Sequence, residues 1–472
     1  MSLDGTSRIL MRRFTDTLNN IVEEHCLDQL EQGLAVAYSG GLDSSVLLAL
    51  ANKYCQEHGV PLLAFHVHHG LSPHADDWSA HCASVCAAHG VRFFVKQVTV
   101  SNDNGHGIEA SARAERYRAL GKLCQDHQIN LLLTAHQQDD QAETLLLQML
   151  RGSGVAGMAG MNMCHRAPKL FGNEAIFLAR PLLAESRLTL EEFATRQGVA
   201  FVQDESNFDP RFIRNALRHQ VMPILSKISP GYAERIARGA MHIQSAHDTL
   251  TKLAEQDLQL CKLDQELDIT AMQSLDGERV NNLMRFWLAQ LGARMPSTSR
   301  LKEMLSQLFS AREDARVTIY HEHLAIHRYK NKVYASDNIR EKNLNGLLKT
   351  FSWNGEAAIY FPEFRGTLLI NDASHGIDKQ WLKIQSLTLQ LRKGGERLKL
   401  AHNRPTRTIK SHYQALQIPF WQREQLPFLA VNNQILFAAG VGMQSIFCVS
   451  DETPSVDLSW ESDPASFSGA GA

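Results

Sequence analysis

Through the first half of the chain, short apolar runs alternate with longer stretches of helix-forming residues. Leu34-Ala35-Val36-Ala37-Tyr38 is the first run; a Ser/Gly-rich loop follows, and then Val46 to Cys55, which holds good helix formers and no breaker. Pro61 to His68 is a second apolar run, Asp76 to His89 a helix, and Val91 to Val100 a run rich in β-branched and aromatic residues. Glu109 to Asp126 reads as a helix, Asn130 to Ala135 as a strand and Asp139 to Arg151 as a helix. Strands and helices alternating at this spacing predict an α/β fold, a doubly wound parallel sheet with helices on both faces. Such sheets bind ligands beyond the carboxyl ends of their strands.

The pattern changes after Pro223, where Tyr232 to Leu260 is a long helical stretch broken only by Gly239. Leu283 to Leu291 and Arg300 to Phe309 predict further helices, and Val317 to Ile319, Leu324 to Arg328 and Lys332 to Tyr334 short strands. Polar residues 337–349 suit a linker. Beyond Phe351, β-type runs at Thr367 to Ile370, Leu387 to Leu391 and Gln434 to Ala438 surround one helix near Thr408 to Leu416. The expected organisation is therefore a catalytic domain over 1–223, a helical and mixed domain over 224–336, and a small α+β domain over 350–460.

Composition alters this picture little: 44% hydrophobic and 21% charged residues is a globular profile. No apolar run reaches the roughly 20 residues a membrane span needs, and residues 1–20 lack a signal-peptide pattern, so no membrane partner and a cytoplasmic location are expected. The eight cysteines form no Cys-x-x-Cys pair, which suits reduced thiols; Cys82 and Cys86 read as small hydrophobes on one helix face. The formal charge of -2 is neutral on the question of nucleic acid, but its distribution is not. Arg392, Lys393, Arg397, Lys399, Arg404, Arg407, Lys410 and Arg423 crowd one C-terminal segment in which Glu396 is the single acid.

The chemistry concentrates first in Ser39-Gly40-Gly41-Leu42-Asp43-Ser44-Ser45. Paired glycines let backbone approach a ligand, the serines add hydroxyls, and the loop opens a helix whose free amides and dipole favour an anion. The Gly-Lys-Ser/Thr ending of the usual P-loop is absent, so transfer of a terminal phosphate is not indicated. The loop resembles that of the ATP pyrophosphatase (PP-loop) family, with its adenine nucleotide α-hydrolase-like fold. That resemblance implies that Ser39, Gly40, Gly41, Asp43, Ser44 and Ser45 bind ATP, that Asp43 is a catalytic residue holding Mg2+, and that ATP is cleaved to AMP and pyrophosphate.

Other clusters fall at the predicted strand ends. His66-Val67-His68-His69 closes the second strand, and three histidines within four positions at a strand's carboxyl end suit a site. Glu109, Arg113, Arg116 and Tyr117 recur at helical spacing, and Arg113 suits a phosphate contact; a solvated salt-bridge face is the alternative. In His136-Gln137-Gln138-Asp139-Asp140-Gln141-Ala142-Glu143, Asp139 and Glu143 share one helical face and could grip an ammonium group; acids stabilised by a helix amino end are the alternative. Arg151-Gly152-Ser153-Gly154 begins a glycine-rich loop.

Together with Arg180-Pro181-Leu182-Leu183, Asp204-Glu205-Ser206-Asn207-Phe208-Asp209, Arg214-Asn215-Ala216-Leu217-Arg218 and Arg392-Lys393-Gly394-Gly395-Glu396-Arg397, these clusters resemble the tRNA(Ile)-lysidine synthase family in all three regions. The resemblance implies a ligase: ATP activates the 2-position of wobble cytidine 34 in a CAU-anticodon isoleucine tRNA as an adenylate, and L-lysine displaces AMP. Decoding then switches from AUG to AUA. It further implies Asp139 and Arg113 as catalytic residues, Asp139, Asp140 and Glu143 as the lysine site, and Arg392, Lys393, Arg397, Lys410 and Arg423, with Tyr413, Phe420 and Trp421, as the tRNA-binding surface. His68 departs from the family pattern, which often has Asn or Asp there, so the resemblance favours His69 for nucleotide binding. A sulfur-inserting relative would call for Cys-x-x-Cys pairs, and a glutamine-using one for a second catalytic cysteine domain. Monomer and homodimer are both compatible with the sequence.

Overall fold

Leu34–Ala37 becomes a strand because both of its faces are covered. Leu34 and Val36 point into one apolar cluster and Ala35 into another, so period-two alternation yields an unbroken apolar run. The computed structural model describes residues 5–25, 30, 32–70, 72–99, 108–202, 213–264, 266–312, 315–338, 347–449 and 453–463. It divides into two compact units, Met1–Thr249 and Leu250–Ala472.

In the first unit, helix α1 (Gly5–Glu24) precedes β1 (Leu34–Ala37), α2 (Leu42–His58), β2 (Leu62–His68), α3 (Ala75–Ala88), β3 (Arg92–Gln97), α4 (Ile108–Asp126), β4 (Leu131–Leu133) and α5 (Gln138–Leu150). Short helix α6 (Val155–Met158), strand β5 (Cys164–Arg166), short helix α7 (Pro168–Phe171), strand β6 (Phe177–Ala179) and helix α8 (Arg187–Gln197) follow. The sheet order is β3-β2-β1-β4-β6-β5, parallel except for β5, which pairs antiparallel with β6 at the edge. This is the expected doubly wound sheet. Its order reverses about β1, so the β1, β2 and β4 ends converge on one crevice. The sequence reading assigned neither α1 nor the β5–β6 hairpin; α1 buries Leu10, Phe14, Leu18 and Ile21 against the same cluster as α2 and α8.

Past residues 203–212, α9 (Ile213–Ala216) runs through a π-helical turn at Leu217–Val221 into α10 (Met222–Ile228), and α11 spans Tyr232–Cys261. Met222, Ala233 and Ile236 pack on Ala142 and Leu146 of α5, so residues just beyond 223 belong to the first unit.

The second unit contains a five-stranded antiparallel sheet ordered Lys262–Leu263, Glu266–Asp268, Lys332–Asp337, Leu324–Tyr329, Val317–His321, packed on the amphipathic helices Gly277–Gln290 and Thr298–Ser310. From Leu348 onward two more five-stranded antiparallel sheets share a core built from Trp353, Leu368, Leu389, Leu429 and Leu458, among others. Among the described residues no helix is long and apolar enough to cross a membrane.

Candidate active site

The two loop glycines serve different ends. Gly40 has φ +83, a Cβ there would meet Cys82 Sγ at 2.8 Å, and its carbonyl accepts the Val202 N–H at 2.9 Å, so the fold itself demands glycine. Gly41 has ordinary backbone (φ -73, ψ 166), and a Cβ would find only Ser39 Oγ at 3.7 Å. Its missing side chain leaves room for a ligand. Ser44 Oγ donates to Gly41 O (3.0 Å) and lies 3.0 Å from Ser39 Oγ, and buried Ser45 donates to Gly40 O (3.3 Å), so hydroxyls knit the loop. No side chain caps α2, whose first amides and positive dipole end therefore face the crevice.

Asp43 stands in that first turn. Burial, reinforced by the negative charge of Asp140, raises its carboxyl to about 6. Its Oδ1 is buried without a protein hydrogen bond.

At the β2 end, His66 Nδ1 pairs with Tyr38 O (2.9 Å) and His68 Nε2 with Asp76 Oδ1 (3.0 Å). His69 Nδ1 is buried and unpartnered, and burial with the nearby Arg116 charge lowers the imidazole to about 4. Both Arg113 and Arg116 are exposed, but only Arg116 lines the same cavity; the Arg113 guanidinium lies 5.1 Å over the Tyr117 ring. The side chain of Glu109 and residues Asp204 to Asp209 lie outside the described residues.

The β4–α5 corner corrects one expectation. Asp140 closes a capping box with Gln137 at the amino end of α5, and its other oxygen takes Arg214 (3.2 Å) and Arg218 (3.0 Å). Glu143, fully buried, accepts Arg214 Nε at 2.8 Å and Arg218 at 2.5 and 3.0 Å. Two carboxylates and two guanidiniums thus satisfy one another, and neither acid offers an open group to an ammonium. Asp139 differs: its Oδ2 accepts the Arg187 backbone N–H (3.2 Å), and its side chain faces the cavity. Tyr232 lies close by, its phenol raised to about 12 by burial and by the charges of Asp139 and Glu143.

These elements surround one cavity of about 1460 Å³, lined by Ser39, Gly41, Asp43 and Ser44 at one end, His69 and Arg116 beside them, and Asp139, Arg187, Glu191, Arg218 and Tyr232. Gly40, Ser45, Arg113 and Asp140 are not on its wall; Gly40, Ser45 and Asp140 support residues that are. A single cleft that joins a phosphate-type loop to an acidic corner can hold a nucleotide and a cationic co-substrate together.

Comparison with known proteins is consistent along the chain. A PP-loop domain matches residues 10–225, the TilS substrate binding domain 267–334, and the TilS substrate C-terminal domain 387–460. The tRNA(Ile)-lysidine synthase of Coxiella burnetii is 36% identical over 405 residues, 86% of this chain and 88% of the relative. That of Burkholderia pseudomallei is 36% identical over 441 residues, 87% and 89% of the two chains. The chain belongs to the tRNA(Ile)-lysidine synthase family.

The expected RNA-binding residues of this lysidine synthase relative divide by burial. Lys393, Arg397 and Lys410 are exposed around the hairpin Arg397–Leu398/Arg407–Thr408, and half-buried Arg392 lies 6.0 Å from the Tyr413 ring. Glu396 does not neutralise them; it accepts the Lys393 and Gly394 amides and shapes the turn. Arg423 is a correction. It is 6% exposed and its Nε donates to Ile418 O (2.5 Å), so it cannot reach a phosphate. Tyr413 donates to Ala439 O and Trp421 stacks on His327, so these rings are structural rather than base-stacking platforms.

Arg187, Glu191, Arg218 and Tyr232 line the cavity although no motif in the sequence assigns them a role. Arg218 stood in a quoted motif without a role, and α8 carried no signal that it reaches the cavity.

Two outcomes follow for the loop. Gly40→Ala should cost about 1–3 kcal/mol in denaturant unfolding, whereas Gly41→Ala should stay within about 0.5 kcal/mol yet raise the KM for ATP. For Asp43, a carboxyl raised above its unfolded value penalises the fold once ionised, so the penalty is absent below about pH 4 and complete above about pH 6. Asp43→Asn should therefore raise stability by about 1–3 kcal/mol at pH 8 in chelator-treated, nucleotide-free protein. The gain should vanish towards pH 4; a gain largest in acid would contradict the assignment.

Proposed function

We propose that this chain joins the side-chain amine of L-lysine to C2 of wobble cytidine 34 in CAU-anticodon isoleucine tRNA, at the cost of ATP, in the cytoplasm. The observation that carries this reading is the shared cavity: a phosphate-type loop at one end, and at the other an acid, Asp139, whose carboxylate is not consumed by arginine. In the first step the cytidine O2 attacks the α-phosphorus and pyrophosphate leaves. In the second the lysine amine attacks C2, and AMP departs with the former O2.

The chain's own residues divide this work. The first-turn amides of α2, with Ser39 and Ser44, hold the pyrophosphate as negative charge gathers on it. The open wall at Gly41 lets that charge approach the backbone. Asp43 suits Mg2+, because its buried Oδ1 lacks a protein partner; among the described residues no three acids, histidines or cysteines cluster as a metal site, so substrate phosphates would complete the shell. When bound, Mg2+ would offset charge on the phosphates. Asp139 takes the lysine ammonium and lowers the cost of presenting it as a neutral amine. Asp140 and Glu143 act indirectly, by fixing Arg214 and Arg218. His69 borders the nucleotide side, whereas Arg113 stands off the cavity wall. Lys393, Arg397, Lys410 and Arg392 supply phosphate contacts for the tRNA, which makes binding salt-sensitive.

With tRNA, ATP and labelled lysine, the purified protein should release AMP and pyrophosphate in proportion to lysine entering the RNA. No incorporation into CAU-anticodon isoleucine tRNA, with another amine accepted instead, would refute the reading. Asp43→Asn should abolish pyrophosphate release while tRNA binding persists. Asp139→Asn should raise the KM for lysine about 10- to 100-fold with little change in the KM for ATP.

A further inference from the structure

The phosphate loop of this chain contains no basic residue. In the ordinary P-loop a lysine within the motif reaches the terminal phosphates; here positive charge for the pyrophosphate has to come from another element. Among the described residues three arginines line the cavity: Arg116, Arg187 and Arg218. Arg218 is committed to Glu143 and Asp140. Arg116 stands on the His69 side, where it lowers that imidazole.

Arg187 is placed differently. It is the first residue of α8, directly after the Ser186 cap, and no acid occupies that turn. A cation at the positive end of a helix works against the dipole, and the order Arg-then-Glu at i,i+4 is the less favourable orientation of such a pair. Its partner Glu191, 3.0 Å from Nε, also lines the cavity, and both side chains are near half exposed (43% and 48%), so the pair contributes little to stability. A locally unfavourable charge, weakly held and facing a ligand cleft, marks a functional position rather than a stabilising one. The Arg187 charge also reaches Asp43, where it opposes the upward shift of that carboxyl.

We propose that Arg187 is the counter-ion of the pyrophosphate end of ATP. At rest it is parked on Glu191, and it is transferred to the phosphates when nucleotide binds. Its backbone N–H stays on Asp139 throughout, so α8 touches the phosphate side with its side chain and the amine side with its main chain. This inference rests on the reading that ATP is cleaved in this cavity, but not on the identity of the amine.

The test uses the full-length protein and inorganic pyrophosphate as a product inhibitor. Arg187→Gln should weaken pyrophosphate inhibition and raise the KM for ATP, each about 10- to 100-fold, with the KM for lysine unchanged because the backbone contact to Asp139 survives. Arg187→Lys should recover part of the loss. Glu191→Gln removes the resting partner and should tighten pyrophosphate inhibition a few-fold. If the pair were only a surface salt bridge, both Gln variants would shift the Tm alike and leave pyrophosphate inhibition untouched, which overturns the proposal. A rise in the KM for lysine with unchanged pyrophosphate inhibition overturns it as well. Loss of lysine transfer by the unmodified protein, with pyrophosphate still inhibiting ATP cleavage, would instead sink the lysine reading and leave Arg187 intact.

Discussion

The buried exchange between Asp140 and Glu143 on α5 and Arg214 and Arg218 around the π-helical turn is the interaction on which the site's shape depends. Those arginines lie more than 70 residues downstream of the acids they meet. By holding them, the four charges draw the segment from Ile213 to Tyr232 onto the β4–α5 corner, and that segment supplies the cavity wall at Asn215, Arg218, His219, Met222, Ser226 and Tyr232. Such a cluster contributes little net stability, since burying ions is costly, but losing one member strands the others at about 3–5 kcal/mol. Its value is geometric. The π turn is where the pitch adjusts so that residues four apart both reach Glu143.

With those charges cancelled, what faces the cleft is sorted by position. Asp43 lies at the phosphate end, its ionisation resisted by burial and by Asp140. Asp139, proposed for the amine end, is steered by a backbone amide of α8. Two imidazoles on the wall are held neutral, His69 at about 4 by burial and Arg116, and His136 at about 3 chiefly by burial. These two add no competing positive charge beside the α2 terminus and the arginines that reach the wall.

What was legible in the sequence was whatever depends on neighbours along the chain. The doubly wound sheet followed from apolar runs such as Leu34 to Tyr38 alternating with helices, and the phosphate loop from the residues between β1 and α2. Residue type could not reveal partnership. Asp139, Asp140 and Glu143 share a turn and looked equivalent; only the distant arginines separate the last two from the first. Arg423 sat among phosphate-binding candidates because charge patterning carries no burial information, yet it turns inward to a carbonyl. Arg187 was invisible for the converse reason: an Arg-Glu pair at i,i+4 is the commonest kind of surface decoration, and its distinction is the cavity it faces.

The two glycines show why a single loop carries both the fold and the chemistry. Gly40 is required by the protein, since its positive φ and the close approach of Cys82 exclude a side chain. Gly41 is not required by the protein, since a Cβ there would meet only Ser39 Oγ at 3.7 Å, and in the proposed reaction its open wall is where the ligand comes in. Because Gly40 fixes where the chain turns, Gly41 and the first amides of α2 are delivered to the cleft without further adjustment, and Asp43 arrives there already buried. The cost of desolvating that carboxylate is met when the apoprotein folds, by packing elsewhere in the first unit. A cation carried in with the nucleotide would then meet a carboxylate already partly desolvated, which strengthens their attraction.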